Sequence, residues 1–371
     1  MLYKPEFFEP LTETSWDEAG VRASAERIAD DTEAAYDPET LWPAAEWDAF
    51  QARLPLTDLY AGASGIAWAL ARLGRDAREK AVRALEAWRV EPDFEERSDD
   101  PQGLTHSSLY FGETGPLAVA FLLGEGSLGD DLLARVRENT DASKPGLMRG
   151  QVGTMLVAKA AHERSGEERW QEAWDESARV LRERRDEEGL WVTKPFGRGI
   201  GAAHGSSTTA KVLGEALDLT AAALTKYAVR EDGLANWPMT VEEPLETEDG
   251  EIRLQWCHGG AGVLASAAEY MDEDVMLAGA ELCWQAGPPN LEKGYGLCHG
   301  TAGTGYAFLK TFERTGDELW LERARRFAVH ALEQVDRLPP RYSLLTGSIG
   351  AALFARDCVE ARPTVPIVDV L

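Results

Sequence analysis

The chain has 371 residues, 44% of them hydrophobic and 12 of them tryptophan, which is apolar mass enough for a large core. Its formal charge is −26, from 64 acids against 38 bases, and the acids are dispersed along the chain instead of gathered in one tail. This balance excludes a general nucleic-acid binder, which needs a basic footprint. No apolar run reaches the roughly 18 residues that would suggest a membrane span.

The N-terminus, MLYKPEFFEP, lacks the basic head and apolar stretch of a signal peptide, so a cytoplasmic location is expected. Next, GVRASAERIADDTEAAY (residues 20–36) carries apolar positions at helical spacing with charges between them and predicts an amphipathic helix. From Leu59 onward a motif recurs: an apolar or small stretch, Gly-x-x-Gly, then an apolar helix-like run. It reads LYAGASGIAWAL at Leu59, SLYFGETGPLAVAFLL at Ser108, LMRGQVGTMLVAKAA at Leu147 and GAAHGSSTTAKVLGEAL at Gly201. It continues as WCHGGAGVLASAAEY at Trp256, LCHGTAGTGYAFLKTF at Leu297 and LLTGSIGAALFARD at Leu344. Seven copies, with leading glycines 38 to 55 residues apart, are the mark of a repeat architecture.

Each interval has room for a second helix, and RWQEAWDESARVLRERR and LWLERARRFAVHALEQV read as helices with one charged face. The unit is therefore a helical hairpin and the fold all-α. A glycine just before a helix allows a sharp turn, and one in the first turn allows close backbone approach. The Ala-, Leu- and Val-rich runs after the glycines predict inner helices buried nearly all round, with the charged ones outside. Periodicity fits both an open solenoid and a closed ring. In a ring, all seven glycine turns would share one rim. The repeats run from about Leu54 to Arg356, and residues 1–371 read as a single domain.

Four cysteines, Cys257, Cys283, Cys298 and Cys358, are too few and too late in the chain for a disulfide framework. Cys257, Cys298, His299 and His204 sit at corresponding places in different repeats, in CHG, CHG and AHG. Thiolate and neutral imidazole are donors that zinc favours. The cysteines are too far apart in sequence for a zinc finger, so a ring would have to bring them together. Cys283 and Cys358 lie off the motif and read as buried structural thiols. His162 and His330 read as surface or packing residues. Asp58 and Glu113 are the acids that the motif turns offer to a glycosidase, and they lie in different repeats.

WCHGGAG and LCHGTAGTGYAF resemble the two zinc-binding signatures of the lanthionine synthetase C-like family, and GAAHGSS resembles its His-Gly motif. The resemblance covers nearly the whole repeat region. It implies an α/α toroid of seven inner and seven outer helices, with Zn2+ held by Cys257, Cys298 and His299. Three protein ligands leave a fourth tetrahedral position open, as in catalytic zinc sites. The resemblance also gives His204 as the active-site histidine, Arg253 as the family's arginine four residues before the first zinc cysteine, and His258 as the residue following that cysteine. Thr208 stands where the fourth motif's second glycine would fall, and KPGLMRG, before the third motif, lacks an acid that some bacterial cyclases carry there.

The implied reaction is zinc-dependent addition of a thiol across the double bond of dehydroalanine or dehydrobutyrine. Its expected partners are a thiol-containing peptide or glutathione and a dehydrated peptide or protein. His204 is the first candidate for protonating the α-carbon and His258 the second, with Arg253 meeting the developing negative charge. The alternative is a non-catalytic zinc protein of the same family that binds glutathione or a partner protein.

The acidic surface is read further as a halophilic adaptation, in which charge keeps the chain soluble in strong salt. Unscreened carboxylates repel one another in dilute buffer, and salt weakens that repulsion. The melting temperature is therefore expected to rise from dilute buffer to molar KCl. A flat or falling value would mark an ordinary acidic protein.

Overall fold

A helix with apolar side chains on every face has nothing to offer water and must be surrounded by other helices. The computed structural model describes residues 1–49, 52–95, 106–141, 145–193 and 197–371, and in it every run that follows a glycine turn is a helix buried over most of its length. In chain order the helices are α1 (Glu18–Ala34), α2 (Ala63–Arg72), α3 (Arg78–Val90), α4 (Thr114–Leu122) and α5 (Gly129–Glu138). There follow α6 (Gln151–Ser165), α7 (Glu168–Arg184), α8 (Ser206–Leu213), α9 (Leu217–Tyr227) and α10 (Gly260–Ala267). The last are α11 (Glu273–Ala286), α12 (Thr301–Thr315), α13 (Glu318–Arg337) and α14 (Ser348–Val359).

The even-numbered helices form the inner ring and the odd-numbered ones the outer. Every residue of α10 is buried, whereas α13 buries one face. Each inner helix packs on the next, and α14 packs on α2, so the ring closes. The outer partner of α14 is α1, from the other end of the chain. The seventh hairpin is thus assembled from both ends of the sequence. Two short antiparallel ribbons, Val192–Thr193 with Gly197–Arg198 and Val229–Glu231 with Leu234–Asn236, lie in the connections around α8 and α9. Among the described residues no helix is long and apolar enough to cross a membrane.

A girdle of backbone hydrogen bonds runs along the rim. The residue two places before each leading glycine is, in turn, Met148, Ala203, Cys257, Cys298, Leu345, Tyr60 and Tyr110. Each donates its N–H to the carbonyl of the next, at 2.8–3.4 Å, through six links. The link from Leu345 to Tyr60 joins the last repeat to the first.

The second glycine of the motif supplies the close approach between repeats. A Cβ on Gly303 would meet the Leu297 carbonyl oxygen at 1.8 Å and the Trp256 Cβ, in the preceding repeat, at 3.0 Å. Gly65 makes the corresponding contact with Leu344 across the closure. In the fourth repeat Thr208 occupies this place, fully buried and with its hydroxyl unpartnered.

Two substitutions test this packing. Gly303→Ala should cost about 3 kcal/mol through overpacking. Thr208→Val, which removes a buried unsatisfied hydroxyl without changing shape, should gain about 1 kcal/mol. Thermal or urea unfolding gives both values, and equal effects of the two changes would contradict the packing scheme.

Candidate functional site

Two adjacent girdle positions carry cysteine. The Cys257 N–H donates to the Cys298 carbonyl at 3.2 Å, which brings the fifth and sixth repeats together at these residues. The turn that carries Cys257 is held by Asn236, a fully buried amide. Its oxygen accepts the N–H groups of Trp237 and Gly260, each at 2.8 Å, and its nitrogen donates to the Leu2 and Arg253 carbonyls. All four of its hydrogen-bonding valences are thereby used. Gly259 has φ +90, and a Cβ there would meet the Arg253 carbonyl oxygen at 2.0 Å, so this turn requires glycine.

The Cys257 and Cys298 sulfurs and a ring nitrogen of His299 lie within 4.8 Å of one another, a cluster that could hold a metal ion. Cys298 Sγ is 3.6 Å from His299 Nε2. Gln255 Nε2 donates to Cys257 Sγ at 3.0 Å, and Tyr60 stands near Cys298. Burial disfavours a charge on either sulfur. Against it, the Cys298 hydrogen bond and the imidazoles of His299 and His258 hold Cys257 well below the ordinary thiol range. Cys298 is pushed up by burial and by its neighbour's charge. The pair therefore carries one negative charge readily and a second with difficulty unless a cation joins it.

His204 and His258 stack with ring centroids 5.4 Å apart and an interplanar angle of 28°. Burial pushes the His258 imidazole below its usual range, against the opposing pull of Cys257. Beside the cluster, Trp47, Arg253, Lys293, His299 and Arg341 line a cleft of about 380 Å³. Arg253 pairs with Glu251 at 3.1 Å and Asp249 at 3.3 Å, and Lys293 pairs with Glu251 at 3.2 Å. Arg341 forks onto Asp48 at 2.6 and 2.7 Å and lies over the Trp47 ring, which meets His299 edge-on at 5.8 Å.

The residues singled out by sequence thus fall into three groups. Cys257, Cys298 and His299 form the cluster, His204 and His258 form a stacked pair, and Arg253 shares the cleft wall with His299. Cys283 and Cys358 are fully buried in helices, with burial pushing the Cys283 thiol up to about 12. His330 is buried against Glu9 and Thr12. Asp58 accepts the N–H groups of Ala61 and Gly62, and Glu113 pairs with Arg89 and Arg135. Neither acid lines the cleft, so the glycosidase arrangement is not built here.

Sequence reasoning missed Tyr60, Gln255, Trp47, Lys293 and Arg341. A signal existed for Tyr60, which holds the same place relative to its glycine as the two cysteines.

The profile of the family described as lanthionine synthetase C-like protein matches residues 56–369. Glutathione S-transferase LANCL1 of Danio rerio is 34% identical over 141 residues, covering 34% of this chain and 34% of that protein. LanC-like protein GCL1 of Arabidopsis thaliana is 33% identical over 123 residues, covering 29% of this chain and 28% of that protein. The chain therefore spans about a third of the length of these curated relatives. Among solved structures, nisin cyclase superposes with a TM-score of 0.60 at 16% identity, over 92% of this chain and 94% of that one, which shows a shared toroidal fold.

Proposed function

The chain belongs to the lanthionine synthetase C-like family, and from that premise we propose that it is a zinc enzyme adding a thiol to a dehydroalanine or dehydrobutyrine residue. The observation that carries this reading is the geometry of the three donors. Zinc stands about 2.3 Å from sulfur and about 2.0 Å from nitrogen, so a tetrahedral S···N edge is roughly 3.5 Å. The Cys298–His299 edge is 3.6 Å. The charge pattern agrees, since a divalent cation stabilises the second thiolate that burial disfavours. Cys257, Cys298 and His299 would hold the ion, which would keep a substrate thiol deprotonated at its open position.

The remaining work belongs to the chain. The net reaction adds S–H across C=C: a sulfur–Cβ bond forms, the π pair moves toward the α-carbon and its carbonyl, and a proton arrives at the α-carbon. Nothing is oxidised or reduced. Arg253, in the wall shared with His299, meets the charge developing on the carbonyl. Its two acidic partners hold the guanidinium in place and moderate its charge. His204, stacked on His258, is the proton donor. Lys293 and Arg341 add cations, each paired with an acid, to the same cleft, and a thiol that itself carries carboxylates can exchange with those acids. Glutathione has that chemistry and appears in the name of one relative. A cysteine in an acidic peptide has it too. The dehydrated partner is a peptide or protein.

Metal analysis is the first test. Purified protein should carry zinc near one equivalent, strongly reduced in Cys257→Ala, Cys298→Ala and His299→Ala and unchanged in Cys283→Ala. His204→Ala should keep its zinc and lose about 10²–10⁴-fold in rate on a dehydroalanine peptide. Full zinc in all three ligand variants would remove the metal centre, and loss of zinc with His204 would make that residue a fourth ligand and close the site.

The second test separates catalysis from binding, which both use the open metal position. Arg253→Ala should lower the rate by about 10²–10³-fold while changing thiol affinity little, because its role lies in the transition state. A folded, zinc-loaded protein that binds glutathione yet gives no rate above background with several dehydrated peptides is a binder.

A further inference from the structure

At the rim the Cys257 sulfur accepts a hydrogen bond from a buried, neutral amide. Gln255 Nε2 is 3.0 Å from Cys257 Sγ. Gln255 is 4% exposed, so water has little access to compete for this place. The donor is fixed by backbone. The Gln255 N–H donates to the His258 carbonyl at 3.0 Å, which ties the residue to the turn that carries Cys257.

Thiol addition poses a problem of selectivity at such a centre. Two of its three protein donors are thiolates, and the electrophilic β-carbon must come close to them to reach the incoming sulfur. If a cysteine sulfur attacked instead, its bond to Cβ would form, the π pair would move to the α-carbon, and a proton would complete a permanent thioether on the protein. A hydrogen bond into a thiolate withdraws charge from the sulfur and occupies a lone pair needed for attack. Hydrogen bonds to charged acceptors are among the stronger ones, so the effect on rate is appreciable.

We infer that Gln255 is a positioning residue that makes Cys257 a poor nucleophile, so that addition falls to the incoming thiol. The inference rests on the zinc reading given above. It assigns a role to a side chain that the reaction itself does not otherwise use. It also assigns the donor to one sulfur, which leaves Cys298 as an internal control.

The experiment compares wild type and Gln255→Leu, each loaded with zinc, with metal content measured on the same samples. The proteins are treated with iodoacetamide, and in parallel with a dehydroalanine peptide, and labelling at each cysteine is followed by peptide mass spectrometry. Gln255→Leu should label Cys257 roughly tenfold faster and leave Cys298 unchanged. In the cobalt-substituted proteins the sulfur-to-metal charge-transfer band should move to longer wavelength in the variant. Unchanged labelling, or equal acceleration at both cysteines, overturns the inference, since loosened packing would expose the two sulfurs together. Loss of zinc from the variant also overturns it, by making Gln255 a determinant of metal retention. Wild-type protein that carries no zinc overturns the reading beneath it, and the inference with it.

Discussion

The girdle of backbone hydrogen bonds at the rim is the constraint on which the site depends. A repeat hairpin can be placed roughly by burying an apolar helix, but burial is non-directional and leaves the end of the helix free to shift. The links between residues two places before each glycine are directional, and they tie seven turns to one another. They require that the turns pack tightly on their own backbone, and the leading glycines allow it: a Cβ at Gly62, Gly205, Gly300 or Gly347 would stand 2.2–2.4 Å from a backbone atom. Where the positions are Met148, Ala203 and Leu345, the result is structural. Where they are Cys257 and Cys298, the same architecture delivers two sulfurs to one point.

This explains how a cluster can be built from residues so far apart in sequence without a dedicated loop to carry them. Each donor rides on a turn whose backbone is already specified, and the neighbours of each donor are specified with it. His299 follows Cys298 by one residue, while His204 and His258 occupy that same following place in the fourth and fifth repeats. The stacked imidazoles and the sulfur cluster are thus consecutive features of one circular pattern. Because the cluster draws on two repeats, an ion bound there would also couple them. Binding to the folded ring and not to the unfolded chain adds to the ring's stability.

The repeat and its inner and outer helices were legible in the sequence because their causes are local. A glycine needed by a turn, an apolar run and an amphipathic run each announce themselves within one repeat. Ring closure was not legible from periodicity, since it depends on α1 crossing to α14 and on Leu345 reaching Tyr60, contacts between opposite ends of the chain. The candidate ligands could be named because Cys-His-Gly appears twice in register. The hydrogen-bond donor to Cys257 could not, because Gln255 is an ordinary core residue whose importance comes from what it touches. The cleft was hidden for a similar reason: Trp47 and Arg341 belong to segments outside the motif, and only folding brings them beside His299. Thr208 was visible as a departure, but its buried, unpartnered hydroxyl was not.

The cleft gathers three cations within a molecule that is strongly acidic overall. A protein of net charge −26 repels an anionic thiol at long range, and the attraction of Arg253, Lys293 and Arg341 is felt only nearby. Glu292 in the lining and Glu251, Asp249 and Asp48 beside it offset those cations, so the cleft holds them in a compensated form. Such pairs lose little when an arriving carboxylate replaces part of the contact, whereas an uncompensated cluster would strain the fold before any ligand came. Added salt acts differently on the two scales. It screens the repulsion of the distant surface over about a Debye length, ~8 Å at physiological strength and ~3 Å at 1 M, but weakens contacts inside a partly closed cleft much less. For an acidic protein whose proposed substrate is also acidic, strong salt therefore removes the barrier to approach while leaving most of the recognition in place.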